Sequence, residues 1–405
     1  MISHIQFLRK NFGNVKITVA SRTPVLDSEI YKSYDIILLP PIIPTPFLFS
    51  FGSNKIRENL INIFSLSSRF RLIREIKRCD LVIACGGSNF FSNRRYFPGP
   101  MFFQNYFHVL LSILFRKPLF FSPQSFGPFS NKAALFFTKS ILKSRTIKKI
   151  WAREEISFNT LLNLLSSDTL CEICPDMAFY LDLETENDKR SFFPDLPGPI
   201  VALTLRSWSF PESKNSESRM QKQEQYLVSL VDACKSIYED FNGSIVFISS
   251  SRAFMRTEDD RIVIQKIVSR LNNIVPRERI YCPEIEDNTS PFHMASLLSS
   301  VDLVIATRFH PAIFAILSGV PVISISYHHK CNGIMKMMKL DKFSLPISNL
   351  KTGDIINLVE EILINHDSIK KKIKVNCEKL RTEIETKLYQ GFLPVINEIR
   401  KKRII

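Results

Sequence analysis

The chain has 405 residues, too many for one ordinary core and suited to two domains. With 45% hydrophobic and 23% charged residues it belongs with globular proteins, which excludes a disordered chain. Lys and Arg number 54 against 39 Asp and Glu, a formal charge of +15, so the favoured partners are anionic: a phosphorylated small molecule, a membrane face or nucleic acid.

The N-terminus, MISHIQFLRKNFG, is short, mixed and amphipathic, and does not read as a secretory signal. Strand candidates then follow at 15–20, 35–39, 81–85, 118–122 and 148–152, with helical patterns at 102–115 and 131–145. Residues 97–115 form the longest apolar stretch, but Gln104, Asn105 and His108 interrupt it, so it falls short of a membrane span. Residues 184–199, ETENDKRSFFPDLPGP, are charged and proline-rich and read as a linker. A second alternating series follows, with strands at 200–205, 244–249, 279–282, 302–306 and 321–326, and a helical tail from about 352. Alternation of this kind predicts parallel sheets with crossover helices. The expected architecture is α/β, two Rossmann-like domains facing a central cleft: 1–183, the linker 184–199, 200–350 and a helical tail 351–405.

In open α/β sheets ligands sit beyond the carboxyl ends of the strands, which selects the candidate residues. Gly86-Gly87 leave strand 81–85 and would let backbone approach an anion, or simply make a tight turn. Gln124 and Ser125, after strand 118–122, offer neutral hydrogen-bonding groups; the same loop also reads as a connection with Ser130 as N-cap of the next helix. Arg153 follows strand 148–152; Glu154 and Glu155 beside it suit the first turn of a helix. Asp176 follows Pro175, as a partner for a cation, a base or a structural cap. Arg206 follows strand 200–205, where a guanidinium fork can hold two oxygens, and Trp208 lies near it.

The densest cluster brackets residues 306–330. Strand 302–306 ends at Arg308 and His310, a helix over 311–318 begins with Pro311, and strand 321–326 leads into Tyr327, His328, His329 and Lys330. A right-handed β-α-β unit brings both ends to one sheet edge. The eight cysteines are scattered, and only Cys171 and Cys174 have metal-like spacing, without a second pair. Free thiols in a reducing cytoplasm, and no metal, are expected. Neither zinc-finger spacing nor an RNA-binding signature is present, so nucleic acid is set aside.

Taken in order, these motifs resemble the polysaccharide pyruvyl transferase family. Residues 302–330 carry the strongest likeness: strand, Arg308-Phe309-His310 with Phe where Leu is usual, a small-residue helix, Gly-Val-Pro, a strand, then Tyr and Lys. Gln124-Ser125-Phe126-Gly127-Pro128, Arg153-Glu154, Pro175-Asp176-Met177-Ala178-Phe179 and Gly86-Gly87-Ser88 match its further segments, Glu154 replacing Asp and Ser88 replacing Gly. The family usually opens with a strand and a Gly-Asn-x-Gly-Asp segment; this chain begins at what looks like the first helix, so the domain is expected to lack its first strand.

The resemblance implies transfer of the enolpyruvyl group of phosphoenolpyruvate to a sugar, with a ketal formed and phosphate released, and with no cofactor. His310 would be the acid, Arg206 and Arg308 the anion clamps and Lys330 a supporting charge. Gly86, Gly87, Gln124, Ser125, Arg153 and Asp176 would face a glycan or lipid-linked oligosaccharide acceptor. Two other readings share the pattern: a nucleotide-sugar glycosyltransferase, or a truncated paralogue that binds glycan without turnover. The expected location is the cytoplasm, with peripheral contact at the inner, anionic face of the membrane.

Overall fold

The computed structural model describes residues 1–43, 65–87, 90–92, 98–165, 170–183, 193–213, 215–251, 259–285, 289–327 and 329–404. They form two compact units, Met1–Asp182 with Leu380–Ile405, and Leu183–Lys379.

In the first unit, helix α1 (Ile2–Phe12) leads to β1 (Ile17–Ala20), α2 (Pro24–Ile30) and β2 (Ile36–Leu39), with β1 and β2 paired in parallel. Next come α3 (Leu66–Arg78), β3 (Val82–Ala84), β4 (Phe90–Ser92), α4 (Pro100–Leu114), β5 (Leu119–Gln124) and β6 (Phe126–Phe129). Then follow α5 (Lys132–Leu142), β7 (Ile147–Ala152), α6 (Glu155–Leu162) and β8 (Cys171–Ile173). The main sheet is parallel with strand order β3-β5-β7-β8, and β4 pairs with β6 beside it. Every residue of β5 is buried, as expected of a strand covered on both faces.

Successive side chains of a strand point to opposite faces, and the phenylalanines of β5 use both. Phe121 packs with Phe90 and Phe126, on the face covered by α4 and α5. Phe120 turns the other way, its ring 4.4 Å from Phe392 and 6.1 Å from Trp151. Phe392 belongs to the last helix, α13 (His366–Ile404) once the second unit is counted, so the tail is a core element of the first unit. Gly391 is required there: a Cβ would stand 2.9 Å from Cη2 of Trp151, and closer still to Cζ2.

The second unit is built from β9 (Ile200–Thr204), α7 (Ser216–Glu239), β10 (Ser244–Phe247), α8 (Asp260–Leu271) and β11 (Ile280–Tyr281). It continues with α9 (Pro291–Ser299), β12 (Leu303–Ala306), α10 (Phe309–Leu317), β13 (Val322–Ser326), α11 (His329–Met337), β14 (Ser344–Pro346) and α12 (Thr352–Ile364). All six strands are parallel in the order β11-β10-β9-β12-β13-β14. Counted within the unit this is 3-2-1-4-5-6, the doubly wound Rossmann order, whose direction reverses between β9 and β12.

Four details differ from the sequence expectation. Asn131, rather than Ser130, caps α5, its Oδ1 accepting from the amides of Ala133 and Ala134. Helix α10 begins at Phe309, so Pro311 lies inside its first turn. The tail joins the first unit from Leu380 onward and does not stand apart. Of the linker, residues 184–192 lie outside the described residues; Phe193 is buried against Tyr281, and the Pro197 carbonyl accepts from Ser244 Oγ, so its end is an edge of the second unit.

Candidate functional site

The switch point of a Rossmann sheet opens a crevice at the carboxyl ends of the two strands that flank it. Here these are β9 and β12, whose last residues, Thr204 and Ala306, are in register. Thr307 donates its amide to the Thr204 carbonyl at 2.8 Å. Both expected arginines, Arg206 and Arg308, therefore leave adjacent strand ends. Tyr226 of α7 ties the two exits together, its hydroxyl meeting Thr307 Oγ1 at 3.0 Å and the Arg206 carbonyl at 3.3 Å. Burial pushes that phenol up to about 12, so it stays a neutral hydrogen-bonding group.

The two arginines have unlike surroundings. The Arg206 guanidinium carbon lies 4.5 Å from the ring centre of Tyr327 and 5.2 Å from that of Trp208, and the two rings are 4.7 Å apart. Aromatic faces attract a cation, so the two rings orient this guanidinium. The Trp208 carbonyl is fixed in turn by Gln223 of α7. Burial raises the Tyr327 phenol, with Arg206 opposing.

Arg308 is held by a carboxylate. Its Nε and Nη2 reach Oδ1 of Asp260 at 2.9 and 2.5 Å, and Asp260, in the first turn of α8, has no exposed surface. The other oxygen of Asp260 accepts from the amides of Ser250 and Ser251 and from Ser250 Oγ. Burial raises the Asp260 carboxyl, while Arg308 and the Ser250 donors oppose. One buried carboxylate thus fixes both Arg308 and the loop leaving β10. Asp260 was not among the expected residues, although it follows a run of three serines at a strand's carboxyl end.

His310 is exposed in the first turn of α10, its ring 5.3 Å from that of Phe309 and 6.4 Å from that of Phe314. Lys330 falls in the first turn of α11, its side chain outside the described residues, as is all of His328. Also in this unit, a groove of about 600 Å³ is lined by Phe247, Ser249, Arg261, Ile264, Cys282 and Glu284.

The expected residues of the first unit form an interior network. Arg153 is 4% exposed and donates to Ser125 Oγ at 2.9 Å, to Glu154 Oε2 at 3.2 Å and to Asp176 Oδ2 at 2.6 Å. Glu154 also accepts from Ser125 and Ser157. Asp176 caps the short 3-10 turn over Met177–Tyr180 with its other oxygen. Gln124, Ser125 and Arg153, expected to face an acceptor, are instead buried. Gln124 and Ser125 have no exposed surface; Gln124 Nε2 donates to the Ala84 carbonyl, and its Oε1 is buried without a hydrogen bond. Gly86 and Gly87 are exposed, and a Cβ on Gly87 would stand 3.7 Å from Nη1 of Arg153. The guanidinium therefore underlies the glycine turn. His4 of α1 is hydrogen-bonded to Ser122 of β5, and burial pushes its imidazole down to about 3. Nothing in the sequence singled it out. Cys171 and Cys174 are buried thiols, and no group of three or more metal-ligating side chains occurs among the described residues.

Comparison with known proteins gives a consistent placement. The family described as polysaccharide pyruvyl transferase matches over residues 2–329. The amylovoran biosynthesis protein AmsJ of Erwinia amylovora is 24% identical over 310 residues, 76% of this chain and 71% of that protein. Among solved structures, the UDP-GlcNAc 2-epimerase of Neisseria meningitidis superposes with a TM-score of 0.58 at 13% identity, covering 97% of this chain and 96% of its own. Anabaena HepE, in complex with UDP and glucose, gives 0.53 at 10% identity, covering 98% and 95%. At such identities these structures establish the shared two-Rossmann fold alone.

Proposed function

The chain belongs to the polysaccharide pyruvyl transferase family, and from that premise we propose that its donor is phosphoenolpyruvate and its product a pyruvate ketal on a sugar of a surface polysaccharide or its lipid-linked precursor. The observation that carries this reading is the meeting of Arg206, Arg308 and the His310 turn at the carboxyl ends of β9 and β12. A donor with a phosphate and a carboxylate needs cations at two places. Arg206, oriented by two rings, suits the phosphate; Arg308, oriented by Asp260, suits the carboxylate.

His310 protonates the methylene carbon, and the neighbouring carbon gains cationic character. One sugar hydroxyl adds there; a second displaces phosphate, closing the ketal. Of the two hydroxyl protons, one restores His310 and one leaves with phosphate. The part of His310 is that of a general acid, a role worth about 10²–10⁴ in rate. The first unit is assigned the acceptor, through the exposed Gly86-Gly87 turn that Arg153 supports from beneath. That AmsJ is a protein of amylovoran biosynthesis supports a glycan acceptor.

The test is phosphate release from phosphoenolpyruvate in the presence of a glycan acceptor, for wild type and His310→Ala. The substitution is expected to lower turnover at least about 100-fold while the circular dichroism spectrum is kept. Wild-type rates in the variant would remove His310 from the chemistry. Nucleotide release from a nucleotide sugar, with none of phosphate from phosphoenolpyruvate, would overturn the donor.

A further inference from the structure

No helix among the described residues is long and apolar enough to cross a membrane, yet one face of the first unit has the composition of a bilayer-binding surface. Three helices adjoin there: α4 packs against α3 on one side and α5 on the other. Helix α4 contains no charged residue, and Phe107 (39% exposed) and Leu114 (64%) face solvent from it. On α5, Phe136 is 69% exposed. The rings of Phe107, Tyr106, Phe137 and Phe136 form a continuous ridge between the two helices, with neighbouring centres 6.1, 5.3 and 5.8 Å apart. On α3, Phe70 is 63% exposed.

The charges around this apolar ground have one sign. Arg71, Arg74, Lys77 and Arg78 are exposed on α3, whose one acidic residue, Glu75, is half-buried and accepts from Thr18. Lys132, Lys139 and Lys143 are exposed on or just after α5. No Asp or Glu stands between Asp80 and Glu154, a stretch containing the whole of α4 and α5. A protein partner of mixed charge would find no exposed anions on these helices to meet its own cations, whereas exposed aromatic and aliphatic groups ringed by cations match an interface of acyl chains beneath anionic headgroups.

We propose that the α3–α4–α5 face of the first unit is a peripheral docking surface for an anionic bilayer. Phe107, Leu114 and Phe136 enter the headgroup boundary, and the α3 and α5 cations lie against the phosphates. The inference does not depend on the reaction: binding is read without substrate, so its failure and a failure of the pyruvyl-transfer reading are separate results.

The test is co-sedimentation of the full chain with vesicles of phosphatidylcholine alone or with 30% phosphatidylglycerol, at low and at high salt. Wild type is expected to bind the anionic vesicles at low salt and to be released by salt, at roughly fivefold in partitioning for each cation engaged. Arg71→Glu/Arg74→Glu/Lys77→Glu, and separately Phe107→Ser/Phe136→Ser, should each abolish binding, with a retained circular dichroism spectrum and urea midpoint showing that each variant is folded. Lys370→Glu/Lys371→Glu/Lys372→Glu, on the part of α13 in the second unit, should retain it. Failure of wild type to bind anionic vesicles would overturn the proposal, and so would equal loss in the α13 variant, which would signify undirected charge attraction. A wild-type dimer in solution that Phe107→Ser/Phe136→Ser dissociates, with no vesicle binding, would assign the face to a second copy of the chain and overturn it likewise.

Discussion

Replacing Arg308 by Ala separates two parts this residue can play. Asp260 has no exposed surface, and Arg308 supplies its counter-charge through two nitrogens. Removing one partner of a buried ion pair costs about 3–5 kcal/mol, because the other charge stays behind. Three donors from Ser250 and Ser251 continue to hold the carboxylate, which places the cost near the lower end, about 3 kcal/mol. With a urea dependence of about 2 kcal/mol per M, that moves the unfolding midpoint of the second unit down by about 1.5 M. The effect carries a pH signature. Burial already raises the Asp260 carboxyl, and losing Arg308 raises it further, so the folded variant binds a proton more readily than its unfolded chain. Stability from that proton is present at low pH and lost as pH rises through the folded-state value, so the deficit against wild type widens as pH rises through that value. Adding Asp260→Asn removes the stranded charge and should recover most of the stability. Urea titrations, with hydrogen exchange read on second-unit peptides, measure both. If activity stays low in the stabilised double variant, Arg308 serves the substrate; if it returns, Arg308 only positions the Ser250–Ser251 loop. A wild-type midpoint in Arg308→Ala, or a deficit that is flat in pH and not relieved by Asp260→Asn, would refute the buried pair.

Two helix glycines, Gly391 in the first unit and Gly353 in the second, and two buried histidines of the first unit give further tests. Gly391→Ala drives a methyl into Trp151, whose ring is buried and tied through Nε1 to Glu172 at 2.6 Å, so it should destabilise by about 1–2 kcal/mol despite the better helix propensity of Ala. Gly353→Ala, with nothing within 4 Å, should be neutral or stabilising by up to about 1 kcal/mol, and urea midpoints compare the pair. Acid should loosen the first unit as well, because burial pushes His4 down to about 3 and His108 down to about 4. His108 accepts from the Ile42 amide with Nε2, a bond only the neutral ring can make. Both folded-state values lie below the unfolded one, so stability is lost as pH falls from about 6.5 toward 4. By pH 5 the sum is about 3 kcal/mol, allowing for partial exposure of His4, and His108→Gln should remove about half of the slope of the first-unit midpoint with pH.

Much of the architecture was legible because periodicity and strand length report burial directly. The strands of the second unit are short, continuous apolar runs, and their expected positions agree with the observed ones to within two residues. What escaped notice was short or local. Strands β4, β6, β8 and β14 have three or four residues each, and β6 contains Gly127 and Pro128, which argue against a strand. The return of α13 to the first unit is a non-local event. Leu380, Ile384, Leu388, Phe392 and Val395 make an apolar stripe along that helix, but none of them names Trp151 as the partner.

The sites show a sharper limit. Residue type and strand position brought Arg206 and Arg308 together, but not what each is bonded to, and that decides the chemistry. A guanidinium against a buried carboxylate, like Arg308 or Arg153, has its direction fixed by that carboxylate. A guanidinium beside two aromatic rings is oriented by their faces and loses freedom to reorient. Of the three expected arginines, Arg206 alone has that second environment. Under the proposed reading Arg206 meets the donor phosphate, and Arg308, aimed by Asp260, meets the carboxylate.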